Sequence, residues 1–182
     1  MEVTKTKLAG CVILEPRVFE DNRGYFFESY NKKSLEDTLG DINFVQDNQS
    51  KSTYGVMRGL HLQVGEHAQA KLVRVLAGKV LDVAVDVRRD SPTYGEYVAV
   101  ELSEENKRLF FIPRGFAHGF VVLTDSAIFS YKCDNYYAPH AESGILYNDS
   151  DLNIDWQVKP EDMVVSEKDQ NLPTFAEFRA NQ

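Results

Sequence analysis

The stretch MRGLHLQVGEHAQAKLVRVLAGKVLDVAVDVRR, residues 57 to 89, decides how this chain is read. Its second half, Leu72 to Val87, has the valine-rich composition and short apolar runs of buried β-structure. Arg58, His61, Lys71, Arg74, Asp82 and Asp86 are nevertheless threaded through it. Burying unpaired charge in a small β-core is prohibitively costly. A barrel whose mouth holds a polar cavity, with these side chains aimed into it, resolves the conflict.

Outward from that stretch, helical signal is sparse. Ser34 to Leu39 predicts a short helix, with Ser34 as the cap and Gly40 as the stop, and Pro173 to Phe178 predicts a second. Between them lie successive short strands: GVMRGLHLQ, KLVRVLAG, KVLDVAVDVR, EYVAVELS, RLFFIPRG, HGFVVLT and AIFSYKCD. Their close spacing predicts an all-β antiparallel sandwich or barrel, without the crossover helices of a parallel sheet. LAGKV and LSEENKRL read as hairpin turns. They would set Leu72 to Leu76 beside Val80 to Val87, and Tyr97 to Leu102 beside Leu109 to Ile112. With no fixed-period repeat and no low-complexity tract, one domain over residues 1–182 is expected.

The chain has 182 residues, 43% hydrophobic and 26% charged, enough for one sizeable core. Its net charge of -8 argues against nucleic-acid and anionic-membrane partners, which need a basic face. No apolar run approaches the roughly 18 residues of a membrane span, and the N-terminus lacks a signal peptide's apolar segment. A cytoplasmic protein is expected. Cys11 and Cys133, without CxxC spacing, read as buried thiols in a reducing compartment.

Strand alternation groups Gly59, His61 and Gln63 on one face and Arg58, Leu60 and Leu62 on the other. It aligns Lys71 with Val73 and Val75, and Asp82 with Ala84 and Asp86. His61 as a base, Lys71 and Arg58 as fixed positive charges and a phenol such as Tyr131 suit proton abstraction beside a carbonyl. A cation stabilises the enolate, and an acid on the opposite face returns a proton. Asp169 would orient His61 if the C-terminal segment folds back over the barrel. Asp82 either bonds His118 or lines a polar wall. His67 and His140 read as exposed loop histidines.

GLHLQ followed by IPRGFAHGF resembles the two signature segments of cupins, whose barrels often hold a metal through an HxH pair, a Glu and a later His. Gln63 replaces the second His of the pair, and His61 and His118 lack a clear carboxylate ligand, so neither a metal nor another cofactor is expected. Nearly the whole chain resembles the dTDP-4-dehydrorhamnose 3,5-epimerase family. The segments are FEDNRGYFFESY, FVQDNQSKS, VMRGLHLQ, QAKLVRVLAGKVLDVAVDVR, FIPRGFAHGFVVL, YKCDNYYAPHAESGILYND, DWQV and VSEKDQNLP, in that order. His67 and Leu62 depart from the pattern, standing where relatives often carry Pro and an aromatic.

The resemblance implies a cupin-type jelly roll, a double-stranded β-helix barrel with a few short helices, forming a homodimer. It implies metal-free epimerisation at C3 and C5 of dTDP-4-dehydro-6-deoxy-D-glucose to dTDP-4-dehydro-L-rhamnose, in the dTDP-L-rhamnose biosynthesis that serves surface polysaccharides. His61 would be the base, Asp169 its partner, Tyr131 the proton donor and Lys71 the enolate stabiliser. Arg23, Glu28, Gln46, Asn48, Arg58, His118, Glu142 and Lys168 would contact the nucleotide sugar. Phe19 and Phe26 would stack on the thymine. The alternatives are a mono-epimerase or keto-isomerase on a related dTDP-4-keto-6-deoxyhexose, or a sugar-nucleotide-binding cupin without activity.

Overall fold

The computed structural model describes residues 1–182. In chain order the elements are β1 (Glu2–Lys5), β2 (Val12–Glu15), β3 (Phe19–Asp21), β4 (Gly24–Phe26), α1 (Lys32–Leu39), β5 (Gln46–Thr53), β6 (Val56–Gln63) and β7 (Lys71–Ala77). They continue with β8 (Lys79–Asp86), β9 (Tyr97–Ser103), β10 (Leu109–Ile112), β11 (Phe116–Val122), β12 (Ser126–Cys133), β13 (Glu142–Gly144), β14 (Val164–Val165), α2 (Glu167–Gln170) and α3 (Phe175–Ala180). One sheet runs β1-β2-β10-β7-β12-β5. The other runs β13-β6-β11-β8-β9, with β14 parallel to β6. β3 and β4 form a separate exposed hairpin. No helix is long and apolar enough to cross a membrane.

The two sheets face each other in a jelly roll, and each is covered again on its outer face. Val73, Val75, Phe110 and Phe129 from the first sheet meet Ala84, Val100, Phe116 and Phe120 from the second in the central core. Leu60, Leu81, Val83 and Val85 pack outward beneath Ile145, Trp156, Phe175 and Phe178 of the C-terminal segment. Leu14, Leu72 and Phe111 pack outward beneath Leu35 of α1. Burial on both faces is why β8 reads as a nearly continuous apolar run.

All seven strands expected from the sequence form, but the two hairpins do not. β7 pairs with β10 and β12, whereas β8 pairs with β11 and β9. The LAGKV turn therefore carries the chain from one sheet to the other. LSEENKRL does the same between β9 and β10. Strands lying face to face across a core bury the same alternate residues as strands lying side by side, so hydrophobic pattern alone cannot separate the two.

The first helix starts earlier than expected. Asn31 is its cap, accepting from the Ser34 amide at 3.3 Å, and Ser34 falls inside the first turn. Gly40 ends it with φ 78, as the sequence predicts. The last helix begins at Phe175, where Thr174 and Glu177 form a capping box.

Strand alternation also breaks within β6. His118 lies opposite His61, but Phe120 lies opposite Arg58, so β6 carries one extra residue against β11. The bulge falls at Gly59, whose φ of 127 and packing leave no room for a side chain: a Cβ there would sit 2.5 Å from Gly119 Cα. Arg58 and His61, expected on opposite faces, consequently both line the space between the sheets. Arg74 differs from its neighbours too. It lies on the outer face of the first sheet, 5.8 Å from the Phe27 ring, and not in the barrel mouth.

Candidate active site

Between the sheets the interior opens into a cleft with two lobes of 410 and 330 Å³, which share Asn48, His61, Lys71 and Tyr131 as lining residues. The first sheet supplies Asn48 and Ser50 from β5, Lys71 from β7 and Phe129 and Tyr131 from β12. The opposite sheet supplies Arg58 and His61 from β6 and His118 and Phe120 from β11. Lys168 and Asp169 enter from α2. Hydrophobic core thus gives way to polar cavity along the same strands.

His61 is held by a buried carboxylate. Ser166 caps α2, its Oγ accepting from the Asp169 amide at 3.1 Å, and this turns the Asp169 side chain inward until it is 3% exposed. Oδ1 of Asp169 lies 2.7 Å from His61 Nε2, and Oδ2 accepts from the Gly59 amide at 3.3 Å. A carboxylate accepting at both oxygens places the imidazole hydrogen on Nε2, leaving the lone pair on Nδ1.

His118 sits opposite His61 in the adjacent strand with its Nε2 2.9 Å from Oδ2 of the fully buried Asp82. Of the two readings for Asp82, the hydrogen-bonded one holds. Burial pushes the His118 pKa down against the pull of Asp82, which favours a neutral ring donating to the carboxylate. Asp86, lower on the same face, is satisfied away from the cleft by Arg88, Ser91 and Thr93.

On the facing wall, burial lowers the pKa of Lys71. Its ammonium lies 5.9 Å from the Tyr131 ring centroid and enters none of the chain's ion pairs. Burial raises the Tyr131 phenol above 10, so it keeps its proton at neutral pH. Two different groups are thereby tuned in useful directions: a cation short of counter-charge and a phenol that retains its hydrogen.

A hydrogen-bonded rim frames the second lobe. Lys168 Nζ meets Glu142 Oε1 at 2.7 Å, and the Tyr137 hydroxyl donates to Glu142 Oε2 at 3.0 Å. Burial opposes ionisation of Glu142, but these two bonds outweigh it and hold the carboxyl below its usual range. Gln46 donates to Asn48 at 3.1 Å and accepts from the Tyr137 amide at 3.0 Å. Arg58 Nε donates to Ser52 Oγ at 3.2 Å.

Of the residues singled out from the sequence, His61, Lys71, Tyr131, Asp169, Gln46, Asn48, Arg58, His118, Glu142 and Lys168 converge on this cleft. Phe19, Arg23, Phe26 and Glu28 do not. Arg23 is 85% exposed on the β3–β4 hairpin and pairs with Asp21 of the same hairpin. Phe19 and Phe26 are exposed there also. Glu28 accepts from Asn31 and Ser34 at the start of α1. These four lie outside the cleft of their own chain, the hairpin sitting against the outer face of the first sheet, where Lys107 Nζ is 4.3 Å from the Tyr25 ring centroid.

Ser50, Phe120, Phe129, Ser166 and Tyr137 line the cleft without having been singled out. Ser50 carried a readable signal. Gln46, Asn48, Ser50 and Ser52 form a polar stripe of period two along β5, the mark of a strand facing a wet cavity.

Three comparisons bear on this arrangement. Residues 5–177 match the family model described as dTDP-4-dehydrorhamnose 3,5-epimerase. A dTDP-4-dehydrorhamnose 3,5-epimerase from Shigella flexneri is 52% identical over 178 residues, 97% of each chain. The crystal structure of the enzyme of that name from Elizabethkingia anophelis NUHP1 superposes with a TM-score of 0.93 at 59% identity over 97% of each chain. A dTDP-6-deoxy-D-glucose-3,5-epimerase from Legionella pneumophila Philadelphia 1, in complex with dTDP-4-keto-L-rhamnose, gives a TM-score of 0.94 at 48% identity. That match covers 99% of this chain and 95% of the other.

Proposed function

This chain belongs to the dTDP-4-dehydrorhamnose 3,5-epimerase family, and we propose that its cleft inverts C3 and C5 of dTDP-4-dehydro-6-deoxy-D-glucose to give dTDP-4-dehydro-L-rhamnose. One observation carries this reading: His61 and Tyr131 rise from opposite sheets across a single cavity, with Lys71 on the Tyr131 side. Inversion at carbon requires a base on one face of the substrate and an acid on the other.

In this mechanism Nδ1 of His61 takes the proton from the carbon beside the 4-keto group while Asp169 holds the ring and stabilises the imidazolium. The electron pair moves onto the C4 oxygen, where Lys71 offsets the charge. Tyr131 then delivers its proton to the opposite face of the carbon, and solvent restores the phenol and discharges His61. The keto group lies between C3 and C5, so one oxyanion site serves both carbons once the ring turns. No electrons are gained or lost. Arg58, His118, Gln46, Asn48, Lys168 and Glu142 hold the nucleotide sugar, with Arg58 offering a charge-assisted donor to the diphosphate.

Two copies form the working unit. The exposed edge strand β1 and the exposed β3–β4 hairpin meet a second barrel, and Phe19, Phe26, Arg23 and Glu28 serve the cleft of that partner. The protein works in the cytoplasm, where the free, buried thiols of Cys11 and Cys133 stay reduced.

Incubation of the chelator-treated protein with dTDP-4-dehydro-6-deoxyglucose in D₂O, followed by proton NMR, tests the assignment. Deuterium and inversion at both carbons are expected. Exchange at one carbon only would replace the double epimerase with a mono-epimerase, and tight binding without exchange would replace it with a binding protein.

A further inference from the structure

Outside the cleft two loop histidines meet, His140 exposed as expected and His67 half-buried. His67 ends the turn after β6 and His140 lies in the turn before β13, 73 residues later, yet their Nε2 atoms are 3.1 Å apart. The rings are nearly perpendicular, at 87°, with centroids 4.7 Å apart. A linear N–H···N bond at that nitrogen separation would hold the centroids about 5.4 Å apart, because each nitrogen lies on its ring's outward axis. The shorter centroid distance means that the two ring axes converge.

Convergent axes also fit two rings sharing one ion. Two imidazoles bound to one ion at about 2.0–2.1 Å have nitrogens about 2.9–3.3 Å and centroids about 4.5–5.2 Å apart, from octahedral to tetrahedral bond angles. Both observed distances fall within those ranges. We propose that His67 and His140 form a surface site for one divalent transition-metal ion of the zinc and nickel class, fixing together the two turns that flank the cleft's second lobe.

The loops are organised beforehand. Gln63 Nε2 donates to the carbonyls of His67 at 2.7 Å and Tyr136 at 3.1 Å, while Gln63 Oε1 accepts from the Ala138 amide at 2.8 Å. Asn135 Nδ2 donates to the Glu66 carbonyl at 2.9 Å, and Gln69 Nε2 to the Asn135 carbonyl at 2.8 Å. Binding therefore spends little on ordering backbone. No third His, Cys, Asp or Glu is placed to complete a ligand set, and Glu66, with Oε1 3.8 Å from His67 Nε2 and its side chain 89% exposed, becomes a third ligand only by changing rotamer, with water filling the remaining positions. Two imidazoles and a single carboxylate suit zinc, nickel or copper and are a poor cage for magnesium.

The test is calorimetric titration of Zn²⁺, Ni²⁺ and Mg²⁺ into chelator-stripped protein and into His67→Ala and His140→Ala. One zinc or nickel ion per chain is expected, with affinity at least tenfold weaker in each variant and no binding of magnesium. The metal-free exchange activity of both variants should equal that of the parent, which establishes that they fold. Absence of zinc and nickel binding overturns the site. Binding that persists unchanged in both variants overturns it equally, by placing the ion elsewhere, such as at His61 and His118.

Discussion

His61 and Asp169 are separated by 108 positions in sequence and meet at 2.7 Å between Nε2 and Oδ1. The contact makes the C-terminal segment part of the cleft, since the carboxylate arrives on a helix of four residues that also closes over the Gly59 amide. Two positions of β6, Gly59 and His61, are thereby coupled to the C-terminal segment through one buried side chain.

Asp169→Asn tests what that carboxylate does. An amide cannot enforce the Nε2–H tautomer or stabilise the imidazolium, so kcat is expected to fall on the order of 10²-fold or more with KM little changed. Steady-state kinetics beside a circular-dichroism melt separates lost orientation from lost fold. A folded variant with kcat within about threefold of the parent would remove Asp169 from the mechanism.

Tyr131→Phe separates deprotonation from inversion. The variant keeps the ring that packs against Phe129 but loses the proton held by a phenol with its pKa raised through burial. Deuterium should still enter from D₂O at the face where His61 works, while the epimerised product falls about 10²-fold or more. If wash-in and product formation decline in equal proportion, Tyr131 is not the donor on the far face.

Lys71 predicts a dependence on alkaline pH. Burial lowers its pKa and raises that of the Tyr131 phenol, and both shifts move loss of the Lys71 charge ahead of phenol ionisation as pH rises. Activity should decline through that lowered value, and Lys71→Arg, charged throughout, should move the decline to higher pH. Stability runs the other way. A lysine with its folded pKa depressed carries a cost that is fully present below that pKa and fades as pH rises from it towards 10.5. Lys71→Met should therefore inactivate the enzyme and raise Tm at neutral pH by about 2–4 °C, the shift that about 1 kcal/mol gives in a chain of this size. A lower Tm would show that the ammonium is stabilised by the cavity.

How much of this was legible in the sequence follows from the range of the forces involved. Seven strands were readable because β-branched and aromatic residues cluster locally in each, from GVMRGLHLQ to AIFSYKCD. β5 was not read as a strand. Its inward residues Gln46, Asn48, Ser50 and Ser52 are polar because they face the cavity, so the apolar alternation that marks a strand is missing. Pairing was misread at Gly78 and over Glu104 to Lys107, where turns that could close hairpins instead cross between sheets. The His67–His140 contact joins two turns with no shared pattern, and only the folded backbone brings them together. His61 and Asp169 had no local signal for each other either; it was the chemistry needed by a histidine base that pointed to a carboxylate.

Gly59→Ala tests whether the bulge in β6 builds the site. Arg58 and His61 reach the same cavity only because three residues of β6 there span two of β11, and the backbone at that point has φ 127 with Gly119 packed against it. An alanine Cβ would lie 2.5 Å from Gly119 Cα and 2.7 Å from the His118 carbonyl oxygen, both backbone atoms that cannot swing away. Overpacking and the strained φ together should cost about 2–4 kcal/mol, a fall of roughly 4–16 °C in Tm. If the strand relieves the clash by shifting register, His61 or Arg58 leaves the cavity and exchange at both C3 and C5 disappears even well below the melting temperature. Retention of parental Tm and exchange would mean that β6 absorbs the methyl group without moving His61, and that the close approach of the two glycines is not what sets the catalytic face.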